Sequence, residues 1–156
     1  MKSERDGINP AAKPSGTGCV ECAAAGGWWF HLRRCAECGH IGCCDSSPSQ
    51  HASKHSAATG HPIITSFEPG EGWFYDYRTE QFFAGPKLHA PHSHPLEQPA
   101  PGPAGAVPSN WKTLLHGEGA AFWFRSGVTK DAHICHVRDR PADLRPWSGW
   151  GLKFAH

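Results

Sequence analysis

The chain has 156 residues, a formal net charge of +1 and only 19% charged residues. This balance gives no electrostatic reason to expect a nucleic acid or a membrane surface as partner, and no apolar run approaches the length of a membrane span. Seven Cys occur together with twelve His, which favours metal binding over a disulfide framework. We expect a cytoplasmic protein, because thiolate ligands must stay reduced.

In chain order, composition divides the sequence into five segments. Residues 1–18 are polar and contain Gly and Pro, so we expect a disordered lead. Residues 19–84 hold six of the seven Cys and predict a small α+β domain with an antiparallel sheet and one main helix. Residues 85–108 are rich in Pro and predict an extended linker. A short helix is predicted over 109–117, and the irregular tail over 118–156 has no sustained period, which favours disorder.

Within the domain, the alternation of apolar and polar residues over 28–34 predicts a strand. Ser47 as N-cap, Pro48 as the first helical residue and Gly60 as the stop predict one helix, which would place His51 and His55 on the same face. Three more strands are predicted, at 61–67, 73–77 and 81–83, with a turn over 68–72 between the first two.

Eight potential metal ligands follow one another in this domain: Cys19, Cys22, Cys35, Cys38, Cys43, His51, His55 and His61. A Cys-x-x-Cys pair forms a tight turn that directs both sulfurs at one ion, and the domain has two such pairs. Sulfur and imidazole donors favour zinc, and eight ligands complete two four-coordinate sites. Two closed sites indicate structural zinc, because a catalytic zinc keeps one position open for water.

The segment from His51 to His55 has the two-His spacing of a metalloprotease helix. Such a helix needs a Glu after its first His to act as general base, and this chain has Ala52 there. We therefore expect no catalytic residues and no enzyme activity.

The pattern C-x-x-C … W-x-H-L-R-x-C-x-x-C-G-H-x-G-C-C-D-S-S … H-A-x-x-H … G-H-P resembles the UBP-type zinc finger. This is the ubiquitin-binding module of ubiquitin-specific proteases and of one cytoplasmic histone deacetylase, and the pattern also resembles the stand-alone bacterial members. The resemblance implies two interleaved sites, one of Cys19, Cys22, Cys43 and His51 and the other of Cys35, Cys38, His55 and His61. From spacing alone, a different pairing with His51 and His55 on one zinc stays open. Some members have a third site where this chain has Phe74 and Tyr77, so we expect two zinc ions per chain.

In the ubiquitin-binding members, an aromatic pocket and an Arg bind a free C-terminal Gly-Gly tail. The resemblance assigns the aromatic positions to Trp29, Trp73 and Tyr75, and the Arg position to Asp45. An Asp repels a bound carboxylate, which argues against ubiquitin as the partner. We therefore expect a zinc-binding module that acts as an adaptor for another peptide or protein tail, identity unknown. The alternative is a thiol redox protein or an accessory protein of a zinc-dependent enzyme, for which Cys44 would be the reactive thiol.

Overall fold

The computed structural model describes residues 7–116, which form a small α+β domain with one antiparallel sheet. Its elements are α1 (Val20–Ala25), β1 (Leu32–Cys35), β2 (Ile41–Cys43), α2 (His51–Thr59), β3 (Ile63–Ser66), β4 (Trp73–Asp76), β5 (Gln81–Ala84) and α3 (Trp111–His116). The strands lie side by side in the order β2, β1, β3, β4, β5, and all neighbours are antiparallel. The predicted fold class is confirmed.

The three strands predicted in the second half of the domain are confirmed as β3, β4 and β5. In the turn between β3 and β4, the N–H of Glu71 donates to the carbonyl of Glu68 at 3.3 Å. The strand predicted over 28–34 is confirmed only in part, because β1 begins at Leu32. The short elements α1 and β2 were not predicted, since six and three residues are too few to show a period.

The two faces of the sheet are set by the alternation of side chains along β1. Leu32 packs with Ile41, Phe67 and Trp29 in the largest apolar cluster of the described residues. Arg33 points to the opposite face, where its guanidinium lies 4.8 Å from the ring centroid of Trp73. One sheet therefore carries both the predicted ligand Cys35 on β1 and Trp73 on β4.

Helix α2 ends where the sequence predicts, but it begins later. Gly60 has φ 77°, a left-handed conformation that suits glycine, and its N–H donates to the carbonyl of Ser56 at 2.9 Å. The predicted start at Ser47 and Pro48 is wrong, because the first helical residue is His51. The Ser47 hydroxyl is used elsewhere: it accepts the backbone N–H of Phe30 at 2.9 Å and so ties the two segments together.

The described part of the lead packs on the domain. The N–H of Asn9 donates to the carbonyl of Ala36 at 2.8 Å, and the N–H of Ser15 donates to the carbonyl of Gly39 at 2.9 Å. These bonds order residues 7–18, although composition favours disorder there.

The Pro-rich segment over 85–108 also packs on the domain instead of extending away from it. Leu88 is 7% exposed and joins an apolar cluster with Phe74. The N–H of His94 donates to the carbonyl of Phe67 at 3.1 Å, while Gly102 and Trp29 exchange two backbone hydrogen bonds of 2.7 and 2.9 Å. Non-proline residues supply these anchors, because proline has no N–H to donate. Where the domain and this segment divide stays a prediction.

Helix α3 lies within the predicted range 109–117, and the ring of Trp111 packs 5.6 Å from the ring of Phe30. The predicted tail over 118–156 and the first six residues lie outside the described residues. Within residues 7–116, no helix has the length and hydropathy needed to cross a membrane.

Candidate metal centre

The first cluster is formed by Cys19, Cys22, Cys43 and His51. The first Cys pair lies at the start of α1, Cys43 ends β2, and His51 begins α2, so three elements meet here. The Nδ1 atom of His51 lies 3.2 Å from the sulfur of Cys19, 3.3 Å from that of Cys22 and 3.5 Å from that of Cys43. Around a tetrahedral zinc, such nitrogen–sulfur distances would be about 3.6 Å and sulfur–sulfur distances about 3.8 Å. The sulfurs of Cys22 and Cys43 are 3.9 Å apart, so this cluster fits a zinc ion.

Close packing of α2 on β2 places the nitrogen ligand of the first cluster. Gly42 precedes Cys43, and a Cβ atom built on it would lie 2.7 Å from the backbone nitrogen of Ala52 and 3.0 Å from the carbonyl carbon of His51. Only glycine lets the helix start so near the strand. The backbone N–H of His51 also lies 3.2 Å from the sulfur of Cys43, as expected for a donor facing a thiolate.

Hydrogen bonds among the sulfurs of the first cluster shift their pKa values in opposite directions. Hydrogen bonding to Cys22, and next to Cys43, lowers the pKa of Cys19, because its thiolate is the acceptor. The same bond to Cys19 raises the pKa of Cys22 to about 12, and hydrogen bonds to its two partners raise the pKa of Cys43. A zinc ion would replace these protons with fixed positive charge, so its binding would release them.

The second cluster is formed by Cys35, Cys38, His55 and His61. The sulfur of Cys35 lies 3.6 Å from Nδ1 of His61, and the sulfur of Cys38 lies 3.3 Å from Nε2 of His55. Burial raises the pKa of Cys35 to about 11 and lowers the pKa of His55, which favours the neutral imidazole that a metal requires. Cys38 is exposed, whereas every sulfur of the first cluster is buried, so the second cluster is the more accessible one.

The two clusters are interleaved along the chain, as the resemblance implies. Each offers four ligand atoms that lie within 4.8 Å of one another, and each could hold one zinc ion. His51 and His55 belong to different clusters although they lie one turn apart on α2, so the alternative pairing that the spacing left open is excluded.

The residues predicted to form an aromatic pocket do not meet in one place. Trp73 and Tyr75 share a face of β4, and the ring of Phe82 packs against both, at 5.3 and 4.7 Å. Trp29 instead packs with Leu32 on the opposite side of the sheet and is 5% exposed. Alternation would put Trp29 on the Arg33 face, but β1 begins only at Leu32, and Trp29 lies before the strand, where its backbone pairs with Gly102.

Asp45, assigned to the position of the family Arg, is 4% exposed, and its backbone carbonyl accepts a hydrogen bond from Gln50 at 3.0 Å. With Asp45 in place of the family Arg, the sequence leaves Arg33 or Arg34 as a compensating positive charge, and the guanidinium of Arg33 lies over Trp73. Arg33 and the ligand Cys35 are two positions apart on β1, so their side chains share a face of the sheet. This spacing is the local signal that indicates the face on which Arg33 lies.

The family match agrees with this geometry. Residues 19–88 match the family described as the zinc finger in ubiquitin-hydrolases and other protein. The chain is also similar to a Rhodopseudomonas palustris protein with a solution NMR structure, at 46% identity over 61% of this chain and 88% of that one, with a TM-score of 0.49. No curated protein matches. With the family's ligand pattern and two clusters that fit zinc, residues 19–88 are a UBP-type zinc finger.

Proposed function

We propose that this chain is a non-catalytic adaptor module that is stabilised by two zinc ions and binds the tail of a peptide or protein. The observation that carries the proposal is the closure of both clusters, since each offers four ligand atoms within 4.8 Å of one another. A zinc ion held by four protein ligands has no open position for water or substrate. Its contribution is to folding, and the chemistry of recognition falls to the surface of the sheet.

The surface that supports tail binding is the Trp73 face, which we define as Arg33, Trp73, Tyr75 and Phe82. Trp73 is partly exposed, while Tyr75 is buried beneath it and supports the ring of Phe82. Arg33 is 1% exposed and donates to the carbonyl of Leu32 at 3.1 Å, so it would act on a ligand through its positive charge behind Trp73, which favours a ligand that carries a carboxylate. Asp45, in place of the family Arg, supports a partner other than ubiquitin.

The test is calorimetric titration of the zinc-loaded full chain with short peptides that end in a free carboxylate, each paired with its C-terminally amidated form. We expect the free-carboxylate form to bind more tightly. Trp73→Ala should weaken binding by about 30-fold, the effect of removing an aromatic hot spot worth about 2 kcal/mol.

Trp28→Ala is the matched control, because Trp28 is also half-buried but lies outside the Trp73 face. Equal affinity of wild type and Trp73→Ala would contradict the proposed site. Failure of every peptide to bind would contradict the adaptor function itself.

The redox alternative requires an accessible thiol beyond the eight ligands, and Cys44 does not favour it. Cys44 is fully buried, packs with Phe30 and has its sulfur 3.4 Å from the hydroxyl of Ser47. A buried thiol in an apolar setting is inert. We expect no alkylation of Cys44 in the zinc-loaded protein, as measured by mass spectrometry of its peptides.

A further inference from the structure

Both Cys pairs contain a Glu directly before their second Cys, and the two Glu side chains serve different partners. Glu37, within the pair of the second cluster, has Oε1 at 3.8 Å from Nε2 of His61, a ligand of its own cluster. Glu21, within the pair of the first cluster, instead has Oε1 at 2.7 Å from Nε2 of His40, which belongs to neither cluster. Glu21 therefore contacts both sides: its Oε1 meets His40, while its Oε2 lies 3.7 Å from the sulfur of Cys19.

His40 connects Glu21 to the second cluster. Its ring is stacked on the ring of His55, with the centroids 4.1 Å apart and the planes at 1°. The backbone carbonyl of His40 accepts the N–H of Cys35 at 2.8 Å, so its main chain is fixed to the second Cys pair and its ring to another ligand of the same cluster. Among the described residues, Nδ1 of His40 is buried and has no hydrogen-bond partner. Within residues 7–116, the side-chain hydrogen bond that orients the His40 ring is therefore the one from Nε2 to Glu21.

Orientation of the His55 ring matters because a metal-ligating imidazole must direct one nitrogen at the ion. Groups that hold a ligating ring in place commonly contribute 10- to 100-fold to metal affinity. His55 directs Nε2 toward the sulfur of Cys38, and the parallel stack against His40 restricts rotation of the ring away from that direction.

The position of Glu21 is set in turn by the first cluster. Helix α1 has only six residues and no side-chain N-cap, so it has little stability of its own. Cys19 and Cys22 flank Glu21 on this helix, and a zinc ion bound to both would fix the helix.

We propose that Glu21 and His40 are positioning residues of the second cluster, so that the zinc affinity of the second cluster depends on the Cys pair of the first. The chain of contacts runs from the first Cys pair through the Glu21 carboxylate and the His40 ring to the His55 ligand.

The experiment measures zinc affinity at each site of the full chain by competition with a chromogenic chelator. Cobalt substitution distinguishes the sites, because three thiolates and two thiolates give different charge-transfer absorption. Glu21→Ala should lower affinity at the second cluster by 10- to 100-fold and change the first by less than about threefold. Glu97→Ala, at an exposed position, should change neither.

A double-mutant cycle separates positioning from general structural damage. His40→Phe keeps a flat ring for stacking but cannot bond to Glu21, so it should weaken the second cluster as Glu21→Ala does. The double variant should lose no more than the larger single loss, because both changes break one contact chain. Glu21→Gln, whose amide oxygen still accepts from His40, should stay within about threefold of wild type.

The proposal is overturned by a loss confined to the first cluster, by unchanged affinity at both, or by additive losses in the double variant. If Glu21→Ala does not fold, the His40→Phe and Glu21→Gln variants decide the matter by the same criteria.

Discussion

Removing the imidazole of His94 should destabilise the domain strongly, although the residue lies in a segment with the composition of a linker. His94 and Glu68 are 4% and 3% exposed, and Nε2 of His94 lies 2.6 Å from Oε2 of Glu68. The other carboxylate oxygen accepts the N–H of Leu32 at 2.8 Å, at the start of β1. The pair therefore joins the Pro-rich segment to the start of β1, the strand that ends in the ligand Cys35.

The magnitude follows from burial. His94→Ala leaves the Glu68 carboxyl group in the interior without its nearest side-chain partner, and loss of a buried hydrogen-bond partner costs about 1–3 kcal/mol. With a urea m-value of about 1.5 kcal/mol/M, the unfolding midpoint should fall by about 0.7–2 M.

The assay is urea unfolding of the full chain at one fixed excess of zinc, because bound metal adds to stability. His89→Ala is the matched control: it removes an exposed imidazole from the same segment and should change stability by less than about 0.5 kcal/mol. If His94→Ala lowers the free energy of unfolding by less than about 1 kcal/mol, that result refutes the reasoning, and the Pro-rich segment would be the extended linker that its composition predicts.

Three further results are expected. A strong chelator should remove zinc from the second cluster first, because Cys38 is exposed. Loss of both ions should unfold the domain, since structural zinc contributes on the order of 10 kcal/mol to folding. Zinc release and circular dichroism measure the two effects, and a chain that stays folded without metal would contradict the second. Zinc affinity should rise with pH, because the pKa of Cys35, raised to about 11, keeps its thiol protonated at neutral pH until zinc displaces the proton. Each displaced proton adds about one log unit of affinity per pH unit. A competition assay that gives the same affinity from pH 6 to 8 would refute this. Gly42→Ala should lower the free energy of unfolding by about 1–3 kcal/mol and weaken zinc binding at the first cluster, because the new Cβ would push the start of α2 away from β2. Urea unfolding and cobalt spectra of the variant test this. Gly105→Ala is the control, because a Cβ at Gly105 would meet open space.

The ligands were predictable from sequence because metal coordination uses particular residue types at short, fixed spacings. Cys19 and Cys22 need only their two-residue spacing to act together, and the order of the later ligands matched a family pattern. The strands β3 to β5 were predictable for a similar reason, since alternation and a Gly-containing turn are local signals.

What could not be predicted depends on partners that are distant in the chain. Ser47 has the local signature of an N-cap, but the N–H it satisfies is that of Phe30, 17 positions earlier. The Pro-rich segment has the composition of a linker, but Glu68 and Trp29 supply partners for His94 and Gly102. Likewise, no local pattern shows that Trp29 and Trp73 lie on opposite faces of the sheet.

The interleaving of the two clusters has a consequence for synthesis on the ribosome. Neither cluster can be completed until the chain has emerged as far as His51, and the second needs His61. During that interval all five ligand thiols are uncovered, and no early fragment can close one site and protect its sulfurs. The first metal to bind must also close a loop of 32 positions, from Cys19 to His51, within which half of the second cluster already lies. Maturation of this chain should therefore be most sensitive to zinc supply and oxidants during a short window just after translation, before the second loop is closed.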